Sequence, residues 1–285
     1  MNKNAILSGL SVLAFMLLSC NGGHKEEVVA EVKDSVKIKE VTPGSKPAPD
    51  EVIAMLKEGN ARFVSGKSVF PHTDSLRIKL ANDKSQGDYA YASILSCSDS
   101  RVPVEMIFDA GIMDLFIIRI AGNVCDVDEI GSIEYGINHV KTPVLVILGH
   151  TKCGAVTAVT KELKGEGHEL ERNIPPLVDN IIPAAKKMID ANKKAGIEEL
   201  VPLVIEENIW QNMENLFLKS PSVRHLALEG KIKVVGAVYD LTDGTITWLD
   251  DTKAAEVLKK AEASKTKETE PMAVKKGAKN KTSHH

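Results

Sequence analysis

The chain has 285 residues, of which 36 are basic, 39 acidic and 43% hydrophobic, the proportions of a globular protein with one sizeable core. Its charge is nearly balanced, and the basic residues are spread over helix faces and the tail. No arginine-rich or aromatic stripe forms, which argues against a nucleic-acid binder.

The first twenty residues, "MNKNAILSGLSVLAFMLLSC", carry Lys3 and then an apolar run from Ala5 to Leu18. The run is too short to span a bilayer comfortably and has the shape of a secretory signal. A small residue, Ser19, before Cys20 resembles a bacterial lipobox, in which the signal 1–20 is removed and Cys20 becomes the lipidated N-terminus. The alternative is a short uncleaved anchor. Either implies export, with the protein lipid-anchored to a bacterial membrane on its periplasmic or outer-membrane side. Residues 21–48 are polar and charged, with "TPGSKPAPD" at their end, and read as a flexible linker. Residues 49–252 form one domain by size. The stretch 253–285, rich in Lys, Ala, Glu and Thr, reads as a disordered charged tail in which His284 and His285 are solvated.

Inside the domain, β-rich runs alternate with helical patterns. The expected strands are 91–97, 115–121, 144–150, 231–240 and 245–249, and the middle runs are apolar on both parities, as parallel strands covered on both faces require. Pro103 and Gly111 bracket a helix over 103–110. Ile130, Ile133, Ile137 and Val140 form a helical stripe within 127–141. The fold class is therefore α/β, with four parallel strands and helices on both faces. The last strand follows the turn "DLTDGT" and lies antiparallel at an edge.

In open α/β sheets, sites form beyond the carboxyl ends of strands, and three soft or borderline ligands collect there. Cys97 ends the first strand, His150 ends the third, and Cys153 begins the next helix. Two thiolates and an imidazole suit tetrahedral Zn²⁺, and three protein ligands leave one position open, as in catalytic sites. With Cys20 lipidated, three cysteines remain, so a complete disulfide framework is excluded. Metal binding would also explain how thiols survive an oxidising compartment. On spacing alone, a buried strand-end cysteine beside a capping histidine stays equally open. Asp99 and Arg101 could likewise be a loop-fixing ion pair beside a helix start.

The segments "CSDSRVP", "DLFIIRIAGN", "SIEYG" and "GHTKCGA" occur in an order that resembles the β-class carbonic anhydrases, over residues from about 50 to 250. The resemblance implies a sheet preceded by an N-terminal helical arm, and an enzyme that hydrates carbon dioxide reversibly to bicarbonate and a proton by zinc-bound hydroxide. It implies Cys97, His150 and Cys153 as zinc ligands, with Asp99 and Arg101 as the catalytic pair beside them. In part of the family the aspartate can swing onto zinc and close the site. The resemblance further places Gln86, Phe116, Tyr135 and Gly154 at the substrate pocket, with Tyr135 reaching a neighbouring subunit's site in a homodimer or tetramer. Each has a plainer reading: Phe116 as a core residue, Tyr135 as an exposed tyrosine, Gly154 as a helix-entry glycine. Gln86 is displaced by "GDYAY" from the family's distance to Cys97. Ile94 and Ser96 replace the tryptophan and glycine with which some bacterial members bind an inhibitory bicarbonate. Two other readings compete: a non-catalytic module whose closed Cys₃His cage includes Cys125, and a thiol redox protein using Cys97 and Cys153, which lacks a local Cys-x-x-Cys.

Overall fold

A computed structural model describes residues 38–269. The signal, Cys20, the linker up to residue 37, and the tail from residue 270 with His284 and His285 lie outside the described residues. Among the described residues no helix is long and apolar enough to cross a membrane.

The five expected strands form, with slightly tighter limits: β1 (Ala92–Ser96), β2 (Leu115–Arg119), β3 (Val144–His150), β4 (Lys233–Tyr239) and β5 (Ile246–Trp248). They make one sheet in the order β2-β1-β3-β4-β5, parallel except for β5, which runs antiparallel to β4. β1 and β3 are buried along their whole length. Their side chains divide between two cores with a period of two. Ile94, Val146 and Leu148 pack with Val52, Leu56, Ile107 and Phe108 on one face. Leu95, Leu145 and Ile147 pack with Ile133, Ile137, Ile209 and Met213 on the other.

The first face is covered by α1 (Pro49–Val64), opened by Pro49 with Asp50 and Glu51 in its first turn, where a proline and acidic groups suit the helix dipole. It is followed by α2 (Ser75–Asp83), whose cap Asp74 accepts the N–H groups of Leu76 and Arg77. Gly59 lets α1 approach the backbone at Phe108, since a Cβ there would lie 1.9 Å from the Phe108 carbonyl oxygen. Residues 38–48, read as the end of the linker, lie against the domain. Thr42 bridges Ser45, the Gly44 N–H donates to the Asp88 carbonyl, and Val41 joins the first core.

Two expectations need correction. The helix expected over 103–110 is only α3 (Val104–Ile107), with Pro103 at its cap. It ends before Asp109, which is left-handed (φ 44°) and whose carboxylate accepts the N–H groups of Val69 and Phe70. Gly111 therefore does not stop the helix; it permits close approach, for a Cβ there would sit 2.0 Å from the Pro71 carbonyl oxygen. On the opposite face α4 (Val127–Asn138) follows β2 as expected but stops short of 141.

After β3 come α5 (Gly154–Leu163), α6 (Ile174–Val178), α7 (Ile182–Ala191), the 23-residue α8 (Ile197–Lys219) and α9 (Pro221–Leu228). The second correction is the tail. Residues 251–263 form α10 (Asp251–Ala263), capped by Asp250. Ala254, Val257, Leu258 and Ala261 recur at helical spacing and pack on the second core. That stripe of small apolar residues decides the matter against the charged composition. Beyond the helix, the Glu268 N–H donates to the Leu218 carbonyl.

Candidate metal centre

The three expected ligands converge at the C-terminal edge of the sheet. Cys97 follows β1 directly, His150 is the last residue of β3, and Cys153 caps α5. One ligand atom from each lies within 4.8 Å of the others, and all three side chains are buried. Among the described residues no other group of three or more His, Cys, Asp or Glu converges in this way. All three cysteines of the domain are unpaired and buried.

The local chemistry fits a divalent soft-to-borderline cation. The His150 Nδ1–H donates to the Thr151 carbonyl at 2.9 Å, which fixes the tautomer and leaves the Nε2 lone pair free. Nε2 is buried with no hydrogen-bond partner among the described residues, a costly state for a polar atom unless something is bound to it. The Cys97 Sγ accepts N–H groups from Gly122 at 3.3 Å and Asp99 at 3.4 Å, contacts that favour thiolate. Hydrogen bonding from Cys153, together with that from the Gly122 and Asp99 N–H groups, holds the Cys97 thiol far below its ordinary range. The same interaction, with burial, pushes the Cys153 thiol up and keeps its proton on. A divalent ion would release that proton and be neutralised by two thiolates.

Beside the cluster, Arg101 engages both oxygens of Asp99. Its Nε donates to Oδ1 at 2.9 Å, its Nη2 to Oδ2 at 2.7 Å, and its backbone N–H to Oδ1 at 2.9 Å. The Arg101 side chain thereby holds the Asp99 carboxyl well below the usual carboxylate range. Oδ2 of Asp99 stands 3.9 Å from the unpartnered Nε2 of His150. Arg101 also donates to the Lys152 carbonyl, tying the loop of one ligand to that of another. Sequence reasoning missed Arg119, which donates to the carbonyls of Cys97 at 3.0 Å and Asp99 at 2.7 Å. Its signal was present, as the one charged side chain within the apolar run "LFIIRIA".

The other candidates are not gathered here. Phe116 pairs in register with Ser93, four residues before Cys97, or about 13 Å along a strand. Its ring lies 6.0 Å from that of half-exposed Tyr135, which in turn lies 5.2 Å from His139. Gln86 is exposed in a 3₁₀ turn before β1. Within one chain these three do not line the metal cluster, because strand register, not sequence order, sets their distance. Gly154 does adjoin it, and a Cβ there would meet nothing within 4 Å. Cys125 is also apart: it is fully buried in the second core with Leu95 and Ile130, and burial raises its thiol pKa. It is a packing residue, not the fourth wall of a cage.

The family model described as carbonic anhydrase matches residues 92–246. A carbonic anhydrase of Mycolicibacterium smegmatis is 34% identical over 67% of this chain and 88% of its own length. Carbonic anhydrase 2 of Mycobacterium tuberculosis is 32% identical over 66% and 87%. In fold, the chain is similar to the β-carbonic anhydrase CafA of Aspergillus fumigatus (TM-score 0.57, 24% identity, 74% of this chain and 95% of that one). It is also similar to tetrameric β-carbonic anhydrases of Sordaria macrospora (TM-score 0.54, 21% identity, 70% and 97%). With its sheet order, its Cys-His-Cys cluster and relatives that cover most of the domain, this chain belongs to the β-class carbonic anhydrases and is an enzyme of that family.

Proposed function

We propose that Cys97, His150 and Cys153 hold one zinc ion and that the site hydrates carbon dioxide reversibly to bicarbonate and a proton with the help of Asp99 and Arg101. The observation that carries this reading is the buried, unpartnered Nε2 of His150 beside two sulfurs. Zinc bound there supplies a Lewis acid that lowers the pKa of water and makes it a nucleophile at ordinary pH. Because two thiolates cancel the charge of the ion, the surrounding residues have more to do than beside three neutral histidines. Asp99, kept ionised by Arg101, accepts a hydrogen bond from the attacking water and so aims its lone pair at the carbon. Arg119 and Arg101, through the carbonyls of Cys97, Asp99 and Lys152, hold both ligand loops in place. With both oxygens engaged by Arg101, the Asp99 carboxylate would stay off a metal held by Cys97, His150 and Cys153.

The chain acts as a homodimer or tetramer. Phe116 and Tyr135 sit together at the β2 edge of the sheet, away from their own cluster, where a second copy can receive them at its site. The signal 1–20, lipidation at Cys20, and anchoring to a bacterial membrane outside the cytoplasm complete this reading, and mass spectrometry of the mature N-terminus tests them. X-ray absorption at the zinc edge tests the site. Two sulfurs at about 2.3 Å with two lighter ligands are expected, whereas three sulfurs would favour the Cys125 cage and overturn the catalytic reading.

A further inference from the structure

Cys97 depends on a loop that is itself held from a distance. After β2 the chain turns through Ala121–Asn123, where Gly122 (φ 73°) and Asn123 (φ 41°) are both left-handed. Such a pair is strained at the asparagine and needs support from outside. Space demands the glycine as well, since a Cβ on Gly122 would come within 2.7 Å of the Ile181 side chain and 3.2 Å of Ala155. The result of this turn is that the Gly122 N–H reaches the Cys97 sulfur.

The support comes from two asparagines one turn apart on α8, both fully buried. The Asn208 Nδ2 donates to the Gly122 carbonyl at 2.9 Å, and the Asn212 Nδ2 to the Asn123 carbonyl at 3.2 Å. The Oδ1 of Asn212 accepts the Cys125 N–H at 3.0 Å. Buried side-chain amides on a helix are costly unless they satisfy something specific, and these grip the backbone groups that follow the sulfur's donor.

We propose that Asn208 is a positioning residue for the metal centre: by gripping Gly122 it keeps that residue's N–H on the Cys97 sulfur, and so sets how much electron density the sulfur gives to the metal. This rests on the reading of Cys97 as a zinc ligand. A hydrogen bond to a thiolate withdraws charge from it; without the bond the sulfur is a stronger donor but is no longer held in place by the turn at Gly122. Partners of ligands in this position typically govern metal affinity by about 10–100-fold. Asn212, gripping the following two residues, backs up the same turn.

The test uses the full chain loaded with cobalt(II), whose thiolate-to-metal charge-transfer band reports the sulfur's donor strength, together with zinc affinity measured by competition with a chelator. Asn208→Asp keeps the shape, removes the donor and places an oxygen against the Gly122 carbonyl. The band is expected to move to longer wavelength and zinc affinity to fall by about 10–100-fold. Met213→Ala, a buried change on the same helix in the second core, is expected to lower thermal stability and leave the band in place. If Asn208→Asp does not fold, Asn208→Ser, which adds no charge, is read by the same two measurements. In the unsubstituted protein loaded with cadmium-113, the Gly122 amide proton should show scalar coupling to the metal through sulfur. An unmoved band with unchanged affinity in the Asn208 variants, an equal shift in Met213→Ala, or no coupling at Gly122 would overturn the proposal. Absence of any thiolate-to-cobalt band in the unsubstituted protein would instead overturn the zinc reading, and this inference with it.

Discussion

Two regions of the molecule place aspartates against arginines, and the contrast between them separates structure from chemistry. On the α1 side, Asp109 accepts the N–H groups of Val69 and Phe70 and pairs with Arg62 at 2.6 Å. Nearby, Asp114 accepts from Gly111, Arg77 and His72. Both carboxylates are buried and face donors on every side, so the region is a closed brace between the loop at 69–72 and the start of β2. At the C-terminal edge of the sheet, Asp99 is also paired with an arginine, but it faces a buried imidazole nitrogen that has no partner among the described residues. An ion pair alone does not mark a site. An ion pair beside polar atoms left free for a ligand does.

The contrast can be broken most severely at the ligands. His150→Ala or Cys97→Ser should remove stoichiometric zinc, read by atomic absorption, and take carbon dioxide hydration to background, while circular dichroism stays close to native. Asp99→Asn should keep its zinc and lose about 10–100-fold in hydration rate; loss of zinc with the activity would make Asp99 a ligand instead of a partner. The brace should respond in the opposite way. Asp109→Ala strands Arg62 and two backbone N–H groups, costing about 3–5 kcal/mol of stability by chemical denaturation, with the hydration rate per folded molecule unchanged.

The smallest effect concerns His72, whose pKa is raised chiefly by its hydrogen bond to Asp114. A raised folded-state value means that the stabilisation is fully present below the unfolded value of about 6.5. It is lost as pH rises through the folded value. The difference in Tm between the natural protein and His72→Gln should therefore be larger at pH 6 than at pH 9. A difference independent of pH would show that His72 braces the loop as a neutral ring.

Much of this was legible in the chain. Strands buried on both faces have to be apolar at every position, so β1 and β3 stood out, and ligands at the ends of such runs were conspicuous as the first polar atoms after them. Three things were hidden for physical reasons. The helix α10 carries lysines and glutamates on its wet side, and that composition masks the narrow stripe of Ala254, Val257, Leu258 and Ala261. The turn at Asp109 depends on N–H groups forty residues earlier in the chain, which no local signal reveals. Phe116 and Tyr135 carried the family's pattern, but their distance from Cys97 follows from strand register and could not be read from spacing. Asn208 and Asn212 sit on a helix buried on most sides, where two polar residues one turn apart are the only trace of the loop they hold.

The most direct test of the central claim is stopped-flow carbon dioxide hydration by the protein, followed as zinc is stripped with a chelator and returned in measured amounts. The rate should rise in proportion to zinc and reach its plateau at one ion per chain. A fully loaded sample without activity, or a rate indifferent to zinc, would contradict it.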